Sequence, residues 1–511
     1  MLSKVYSGAV YGVDAFSVEI EVNAGHGDPQ VVIVGLPDAA VKESKDRVHT
    51  AILNSGFKPH IGRTTINLAP ADIKKEGPSF DLPIAIGMLH ATGEIEVEEL
   101  PPLAMVGELA LSGEVRRVKG VLPIAIRARE QGLAGIIVPV DNAEEAAVVD
   151  GLAVYPVKTL RQAADFLGGT LSQTPYQVDL AQIFQMRDEN ADDYADVKGQ
   201  EQAKRAIEVA VAGGHNILMV GPPGTGKSML AKRLPSILPM MTLEEALETT
   251  KIHSIAGTLE AHVALVAKRP FRAPHHTISD AGLLGGGSYP MPGEVSLAHR
   301  GVLFLDELPE FRRNVLEVLR QPLEDGAVTI SRAAGSVSFP CRFMLVAAMN
   351  PCVCGYFGDP ARECRCTQTQ IQNYRNKISG PLLDRIDIHI EVPAIRYQEL
   401  ASLEKGEASV AIRERVMGAR LIQGERFHGE GSLHNNAAMG ARQIRKYCGL
   451  GAEAQNLLRM AITELHFSAR AYDRILKVAR TIADLAQSET IEPQHVSEAI
   501  QYRTLDRQLW A

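Results

Sequence analysis

Over most of this chain, short apolar runs alternate with stretches whose apolar positions recur every three or four residues, and the two periods separate strands from helices. Val31-Val32-Ile33-Val34, Thr65-Ile66-Asn67-Leu68 and Gly135-Ile136-Ile137-Val138 read as strands, and Leu82 to His90 and Leu122 to Glu130 as amphipathic helices. This alternation predicts an α/β domain over residues 1–170. Residues 171–194 are polar with one short helical stretch, which predicts a linker. Asp196-Val197-Lys198-Gly199-Gln200 then opens a helix, Glu201 to Ala212, ahead of the apolar run Asn216 to Val220. Strand and helix alternate again through residues 195–395. Over residues 396–511 the period turns helical, with helices expected at Ala408 to Arg420, Ala441 to Tyr447, Ala452 to Leu465, Arg470 to Ala486 and Pro493 to Tyr502. Gly424, Gly429 and Gly431 predict a loop within this last part. No internal repeat or low-complexity tract interrupts the pattern.

Gly221-Pro222-Pro223-Gly224-Thr225-Gly226-Lys227-Ser228 follows the run Asn216 to Val220 directly and precedes a helix expected from about Met229 to Leu234. Strand, glycine-rich loop and helix in that order predict a phosphate cradle. Glycines let backbone N–H groups turn inward, Lys227 reaches the β- and γ-phosphates, and Ser228 ligates Mg²⁺. The helix start adds its positive end. Gly301-Val302-Leu303-Phe304-Leu305-Asp306-Glu307-Leu308 reads as a buried parallel strand that ends in two carboxylates. Behind a phosphate-binding loop, Asp306 is the candidate for the Mg²⁺ shell and Glu307 the candidate base for the attacking water. ATP and Mg²⁺ are therefore the expected cofactors, and ATP hydrolysis the expected reaction.

At 511 residues the chain is too long for one core. No apolar run reaches the roughly 18 residues of a membrane span, and no basic-then-apolar leader is visible, so no membrane partner and a cytoplasmic location are expected. A net charge of −8 argues against a uniformly basic nucleic-acid coat, so any DNA contact must be focused. Of the six cysteines, four form two C-x-C pairs, Cys352 with Cys354 and Cys364 with Cys366. Four thiolates so close favour a structural Zn²⁺; reduced thiols and a redox pair are the alternatives. Arg362, Arg365, Tyr374, Arg375 and Lys377 surround the cluster, which suits a knob facing either DNA or a neighbouring subunit. Cys341 and Cys448 read as buried core residues. Gly326 to Phe339 shows period-two segments around a small-residue turn, a β-hairpin.

The order of Asp196-Val197-Lys198-Gly199-Gln200, the phosphate loop, Arg272-Ala273-Pro274-His275-His276-Thr277, Asp306-Glu307, Ala348-Met349-Asn350-Pro351 and Leu382-Leu383-Asp384-Arg385-Ile386-Asp387 resembles AAA+ ATPases of the magnesium-chelatase type, relatives of the minichromosome maintenance helicases. With the N-terminal part included, the chain is most similar to bacterial ComM/YifB-like proteins. The resemblance implies an AAA+ core with a helical lid, assembled as a homo-oligomer, a hexameric ring with ATP sites between subunits. It implies Asn350 as a sensor amide, Arg385 as an arginine finger, and Arg470 as a second sensor with Arg474 as runner-up. It also implies that the hairpin carries Arg332 to a DNA backbone, with Leu283 to Tyr289 as a second pore projection. The implied activity is a DNA motor on single-stranded or branched DNA, a branch-migration helicase of recombination and natural transformation.

A chelatase-type motor acting on a protein partner is the alternative. A peptide-gripping remodeller would need an aromatic-apolar-glycine pore loop, which the expected region lacks. Gly77-Pro78-Ser79 and Met105 to Val115 resemble a Lon-protease-like (S5-like) domain, with Ser79 in the serine's place. Leu122 stands where the dyad lysine would be and Lys119 lies near it in sequence, so a fold kept for assembly or DNA binding is expected over a Lon-like protease.

Overall fold

The computed structural model describes residues 2–185, 192–287, 290–332, 335–360, 362–394, 406–430, 433–465 and 467–505. Among these, seven strands build a first sheet in the order Gln30–Val34, Arg63–Ala69, Asp14–Gly25, Leu2–Tyr11, Leu103–Met105, Gly135–Pro139 and Ala153–Val157. Its two longest strands, Leu2–Tyr11 and Asp14–Gly25, pair antiparallel and were absent from the sequence expectation. The signal was present, since buried Val18, Ile20 and Val22 alternate with Glu19, Glu21 and Asn23.

Helix Asp81–Ala91 corrects the expectation of an amphipathic helix over Leu82 to His90, because every one of its residues is buried. It lies on the first two strands, with helices Ala39–Asn54 and Leu160–Leu167 against its other sides. Its one acidic residue, Asp81, accepts from Ser44 Oγ (2.6 Å), Arg47 Nε (2.9 Å) and the Leu109 N–H (3.2 Å). A buried carboxylate so surrounded leaves no charge unanswered.

The second sheet is wholly parallel, ordered Phe271–Arg272, Val302–Leu305, Met344–Met349, Ile217–Val220, Ile388–Glu391. Its strands are short and apolar, as strands covered on both faces must be. Helices Glu201–Gly213, Ser409–Arg426 and Ala469–Leu485 share one apolar core with this sheet. Tyr194, at the last position of the expected linker, belongs to that core: it is fully buried and its hydroxyl donates to Leu230 O at 2.8 Å.

Helix Ser409–Arg426 runs through Gly424, where a loop was expected. Gln423 Nε2 donates to Ala212 O (3.0 Å), and Arg426 donates to Asp484 (2.7 Å) and to Asn436 Oδ1 (2.9 Å). These tertiary bonds outweigh the roughly 1 kcal/mol that a helical glycine costs. Gly431 lies outside the described residues.

The two sheets are joined through helix Leu243–Ala256. Met241, Ala246, Ala264 and Leu265 enter the same apolar cluster as Val121, Leu122 and Ala125 of the N-terminal part. Glu145, buried at this junction, accepts from the Leu122 N–H (2.9 Å), Asn142 Nδ2 (3.0 Å) and the Ser254 hydroxyl. Arg117 donates to Leu259 O (2.5 Å), and Lys251 meets Asp14 at 3.2 Å. Replacing Glu145 with alanine strands three buried donors, so Glu145→Ala should lower the unfolding free energy by about 3 kcal/mol. It should also open the junction to limited proteolysis; an unchanged denaturant midpoint would show that apolar contact alone holds it.

Candidate active site

In a parallel sheet all carboxyl ends lie along one edge, and ligands bind in the crevice outside them. Val220 pairs with Met349, and Leu305 with Ala347, so Gly221, Asp306 and Asn350 leave the sheet side by side. Gly221 is required by close approach: a Cβ there would strike the carbonyl oxygen of Val392. The loop turns into helix Lys227–Lys232, which starts two residues earlier than the sequence pattern predicts.

Lys227 is buried, and its ammonium donates to Gly221 O (2.7 Å), Pro222 O (2.8 Å) and Asn350 Oδ1 (3.2 Å). Burial pushes its amine down to about 8 against the upward pull of the Asp306 and Glu307 charges. Thr225 closes the loop with a bond from Oγ1 to Pro222 O at 3.1 Å. Ser228 Oγ donates to Asp306 Oδ2 at 2.5 Å. A hydroxyl and a carboxylate so placed are two hard oxygen donors of the kind that hold Mg²⁺ beside phosphates. With Gly224 and Gly226 both at positive φ, the loop has the glycine-dependent bends of a phosphate cradle.

Glu307 lies at φ +52, in the left-handed region, and its N–H donates to Asp306 Oδ1 at 2.9 Å. Such a conformation costs a non-glycine residue roughly 1 kcal/mol or more. It turns the two carboxylates apart, leaving Glu307 57% exposed and 3.6 Å from His276 Nδ1. His276 packs edge-on against Phe311 with ring centres 6.4 Å apart. In the sequence this histidine stands out only as one member of an ordered set of motifs. The signal that marks it is its position: four residues after strand Phe271–Arg272, which pairs directly with the strand ending at Asp306.

Arg385 and Arg470 are not brought to Lys227. Asn216 stands at the opposite end of strand Ile217–Val220, where its Nδ2 donates to Arg385 O (2.8 Å) and its carbonyl accepts from Asp387 N (3.0 Å). At about 3.3 Å per residue, strand Ile217–Val220 separates this edge from the phosphate loop by roughly 13 Å. Arg385 donates to Pro381 O (2.6 Å) and pairs with Glu324. Arg470, 70% exposed, reaches Asp384 at 3.3 Å. Arg474 instead points inward, 3.6 Å from Asp387. Burial pushes Asp387 up, but hydrogen bonding from His215 and the charges of His215, Arg474 and Lys477 outweigh it and hold the group at about 2.

The hairpin forms between Ala327–Arg332 and Gly335–Pro340. The Arg332 side chain and the turn Ala333-Ala334 lie outside the described residues, as do Ser288 and Tyr289 of the second expected projection. The N-terminal part touches the middle of the hairpin, since Val337 pairs with Ile330 and a Cβ at Gly12 would lie 3.0 Å from Val337 Cγ1. In that N-terminal part, Ser79 sits in the turn Pro78–Phe80, Leu122 is fully buried, and Lys119 extends toward Gly257 across the junction.

Cys352, Cys354, Cys364 and Cys366 present their Sγ atoms within 4.8 Å of one another. Three of the separations are 3.4, 3.6 and 3.7 Å. Tetrahedral Zn²⁺ with bonds of about 2.3 Å places sulfurs about 3.8 Å apart, whereas a disulfide needs about 2.0 Å. Cys341 and Cys448 are buried apart from the cluster, and burial pushes both thiols up to about 12.

The Lys227 shift carries a pH dependence. Phosphate favours the charged amine, which the free chain holds only below about 8. Affinity for ATP should therefore fall as pH rises through that value, by roughly tenfold between about pH 7 and about pH 9, with proton uptake on binding at the upper end. Titration calorimetry in buffers of different ionisation enthalpy would detect this, and a flat affinity would contradict it.

Residues 193–400 match the family described as magnesium chelatase, subunit ChlI; residues 20–142 match subunit ChlI of Mg-chelatase, and 406–503 its C-terminal part. The chain is 45% identical over 511 residues to competence protein ComM of Haemophilus influenzae, covering 99% of this chain and 98% of that one. It is 43% identical over 510 residues to YifB of Escherichia coli, with 99% and 98% covered. The magnesium-chelatase 38 kDa subunit of Cereibacter sphaeroides is 24% identical over 344 residues, or 60% of this chain and 94% of that subunit. A phosphate loop, a Ser–Asp pair and an adjoining amide at the carboxyl edge of a five-stranded parallel sheet accompany full-length kinship to ComM and YifB, and the chain belongs to the magnesium-chelatase-type AAA+ ATPases.

Proposed function

We propose that this chain is an ATP-driven DNA motor that works as a hexameric ring and migrates branched DNA in recombination and natural transformation. The observation that carries the reading is the division of the site: Lys227, Ser228, Asp306 and Asn350 lie at one edge of the sheet, Arg385 and Arg470 at the other. A chain that cannot bring its own arginines to its own phosphate loop needs a neighbour to do so. In this reading Gly221 to Ser228 hold ATP, with Ser228 and Asp306 on its Mg²⁺. Glu307 takes the proton of the attacking water, and Asn350 orients that water. Arg385 and Arg470 of an adjacent copy stabilise charge on the transferred phosphoryl group.

Residues 1–170 form the Lon-like (S5-like) domain, 171–194 the linker, 195–395 the ATPase core and 396–511 the lid. The core–lid boundary lies outside the described residues. Arg332 at the tip of the hairpin contacts DNA phosphates rather than base edges. The four clustered cysteines hold a structural Zn²⁺. Similarity to a protein named for competence supports DNA as the substrate, and the location is cytoplasmic. Among the described residues, no helix is long and apolar enough to cross a membrane.

A chelatase-type motor that remodels a protein partner is the second reading, favoured by the match to the 38 kDa chelatase subunit. ATP hydrolysis measured with and without forked or single-stranded DNA separates the two. DNA should stimulate turnover, and Arg332→Ala should remove most of that stimulation while leaving basal turnover intact. Stimulation by a protein substrate and none by DNA would overturn the DNA reading. Glu307→Gln should still bind ATP and assemble, yet hydrolyse it about a hundredfold or more slower. Normal turnover in that variant would remove Glu307 from the role of base.

A further inference from the structure

We propose that the four-cysteine loop is a wall of the nucleotide pocket, with Gly355 as a positioning residue, so that metal occupancy of the cysteines sets the affinity for ATP. This rests on the reading of the cysteines as a metal site. The loop begins at the site itself. Asn350, whose Oδ1 accepts from Lys227 at 3.2 Å, is followed by Pro351 and then by fully buried Cys352. Three residues on, the backbone of Gly355 lies directly against the phosphate loop. A Cβ there would stand 2.6 Å from Pro223 Cδ, 3.1 Å from Pro223 Cγ and 3.9 Å from Asn350 Cγ. Gly355 therefore touches both halves of the cradle, Pro223 in front and Asn350 beside it. Its φ of +86 and this contact leave no room for a side chain.

The return limb is anchored at the same place. Thr367 caps helix Gln368–Arg375, and Arg375, buried, donates from Nε to Pro351 O at 3.2 Å. The same guanidinium stacks over Phe357, 5.1 Å from the ring centre. Between these anchors the loop has little apolar interior: Val353 is 64% exposed and Phe357 is also exposed. A segment that cannot build a core is fixed by cross-linking, and the four thiols are what cross-link it. Without that cross-link, Gly355 no longer holds Pro223, and Asn350 loses the buried turn that follows it.

Coupling between two ligands is reciprocal. If metal tightens ATP binding by some factor, ATP must tighten metal binding by the same factor. A cross-link that merely stabilised a remote knob would give no such linkage.

The test uses the full-length chain. Metal content as purified is measured first, and the chain is then stripped under reducing conditions and dialysed free of chelator. Binding of a fluorescent ATP analogue in the presence of Mg²⁺ is compared before stripping, after stripping and after reloading with Zn²⁺. The stripped form should bind about tenfold more weakly and recover on reloading. In the reverse direction, the ATP analogue should lower the fraction of Zn²⁺ captured by a chromogenic chelator at equilibrium by a matching factor. Gly355→Ala should keep about one metal ion per chain yet bind the analogue about tenfold more weakly, the size expected when a non-glycine residue is forced to positive φ against a neighbour. Equal nucleotide affinity in stripped and loaded forms, or wild-type affinity in metal-loaded Gly355→Ala, overturns the coupling and leaves the metal assignment standing. Absence of metal from the purified chain, with no uptake of added Zn²⁺, overturns the metal assignment itself.

Discussion

A buried ammonium group is tolerated only where acceptors surround it, and Lys227 has three: two carbonyls of its own loop and the amide of Asn350. Much of the second sheet follows from meeting that demand. Asn350 comes within reach because Met349 and Val220 are register partners in adjacent parallel strands. The loop carbonyls face the amine because Gly221 lets the chain turn against Val392 without a side chain. Phosphate oxygens are stronger acceptors than the two carbonyls, so the cradle holds in advance the charge a nucleotide needs. The cost of keeping that charge out of water is visible as the lowered affinity of Lys227 for its proton.

The same sheet sets Arg385 and Arg470 apart from the phosphate loop. Parallel strands send every carboxyl end to one edge, so a group anchored at the amino ends faces away. Asn216 fixes Arg385 there by a side-chain bond to its carbonyl, and the buried set of His215, Asp387, Arg474 and Thr481 holds that edge rigid. Arg474 is spent inside this set, whereas Arg470 meets Asp384 and Arg385 meets Pro381 O and Glu324 at its margin. An exposed pair such as Arg470 with Asp384 contributes little stability and is readily exchanged for a stronger anionic partner. Arg470 is thus set apart from Arg474 by exposure, 70% against 16%, whereas Arg385 is as covered as Arg474 and differs from it in its partners, Pro381 and Glu324.

Legibility from sequence followed how local each signal was. The phosphate loop and the Asp306-Glu307 strand were readable because glycines, lysine and carboxylates must stand at fixed spacing along the chain. The cysteine cluster was readable for the same reason. His276 was not, because its meaning comes from Glu307, which lies thirty-one residues later and meets it only through strand pairing. Strands Leu2–Tyr11 and Asp14–Gly25 carried a real alternation, but charged and small residues on the open face hid it. Gly424 misled because a local breaker was weighed without Gln423 and Arg426, whose partners come from Glu201–Gly213 and Ala469–Leu485. Glu145 carries no local signal in the sequence, because Ser254, which closes on it, lies 109 residues away.

That last contact bears on how force could pass through the molecule. The N-terminal part grips the ATPase at two separate places. Glu145 and Arg117 hold helix Leu243–Ala256 and the loop after it, while the turn Gly12-Val13 rests midway along the hairpin beside Val337. Strands Leu2–Tyr11 and Asp14–Gly25 connect these points as one stiff ribbon, continuous with the sheet on which helix Val121–Glu130 lies. A hairpin that swung freely with each nucleotide would have to break the Val13 packing or carry the ribbon with it. Because the junction at Glu145 combines an apolar cluster with a satisfied buried carboxylate, whereas the contact at Val337 is small and apolar, the second is the weaker. Movement of the hairpin is therefore expected to separate at Gly12-Val13 first, leaving the N-terminal part fixed to helix Leu243–Ala256 as a rigid body.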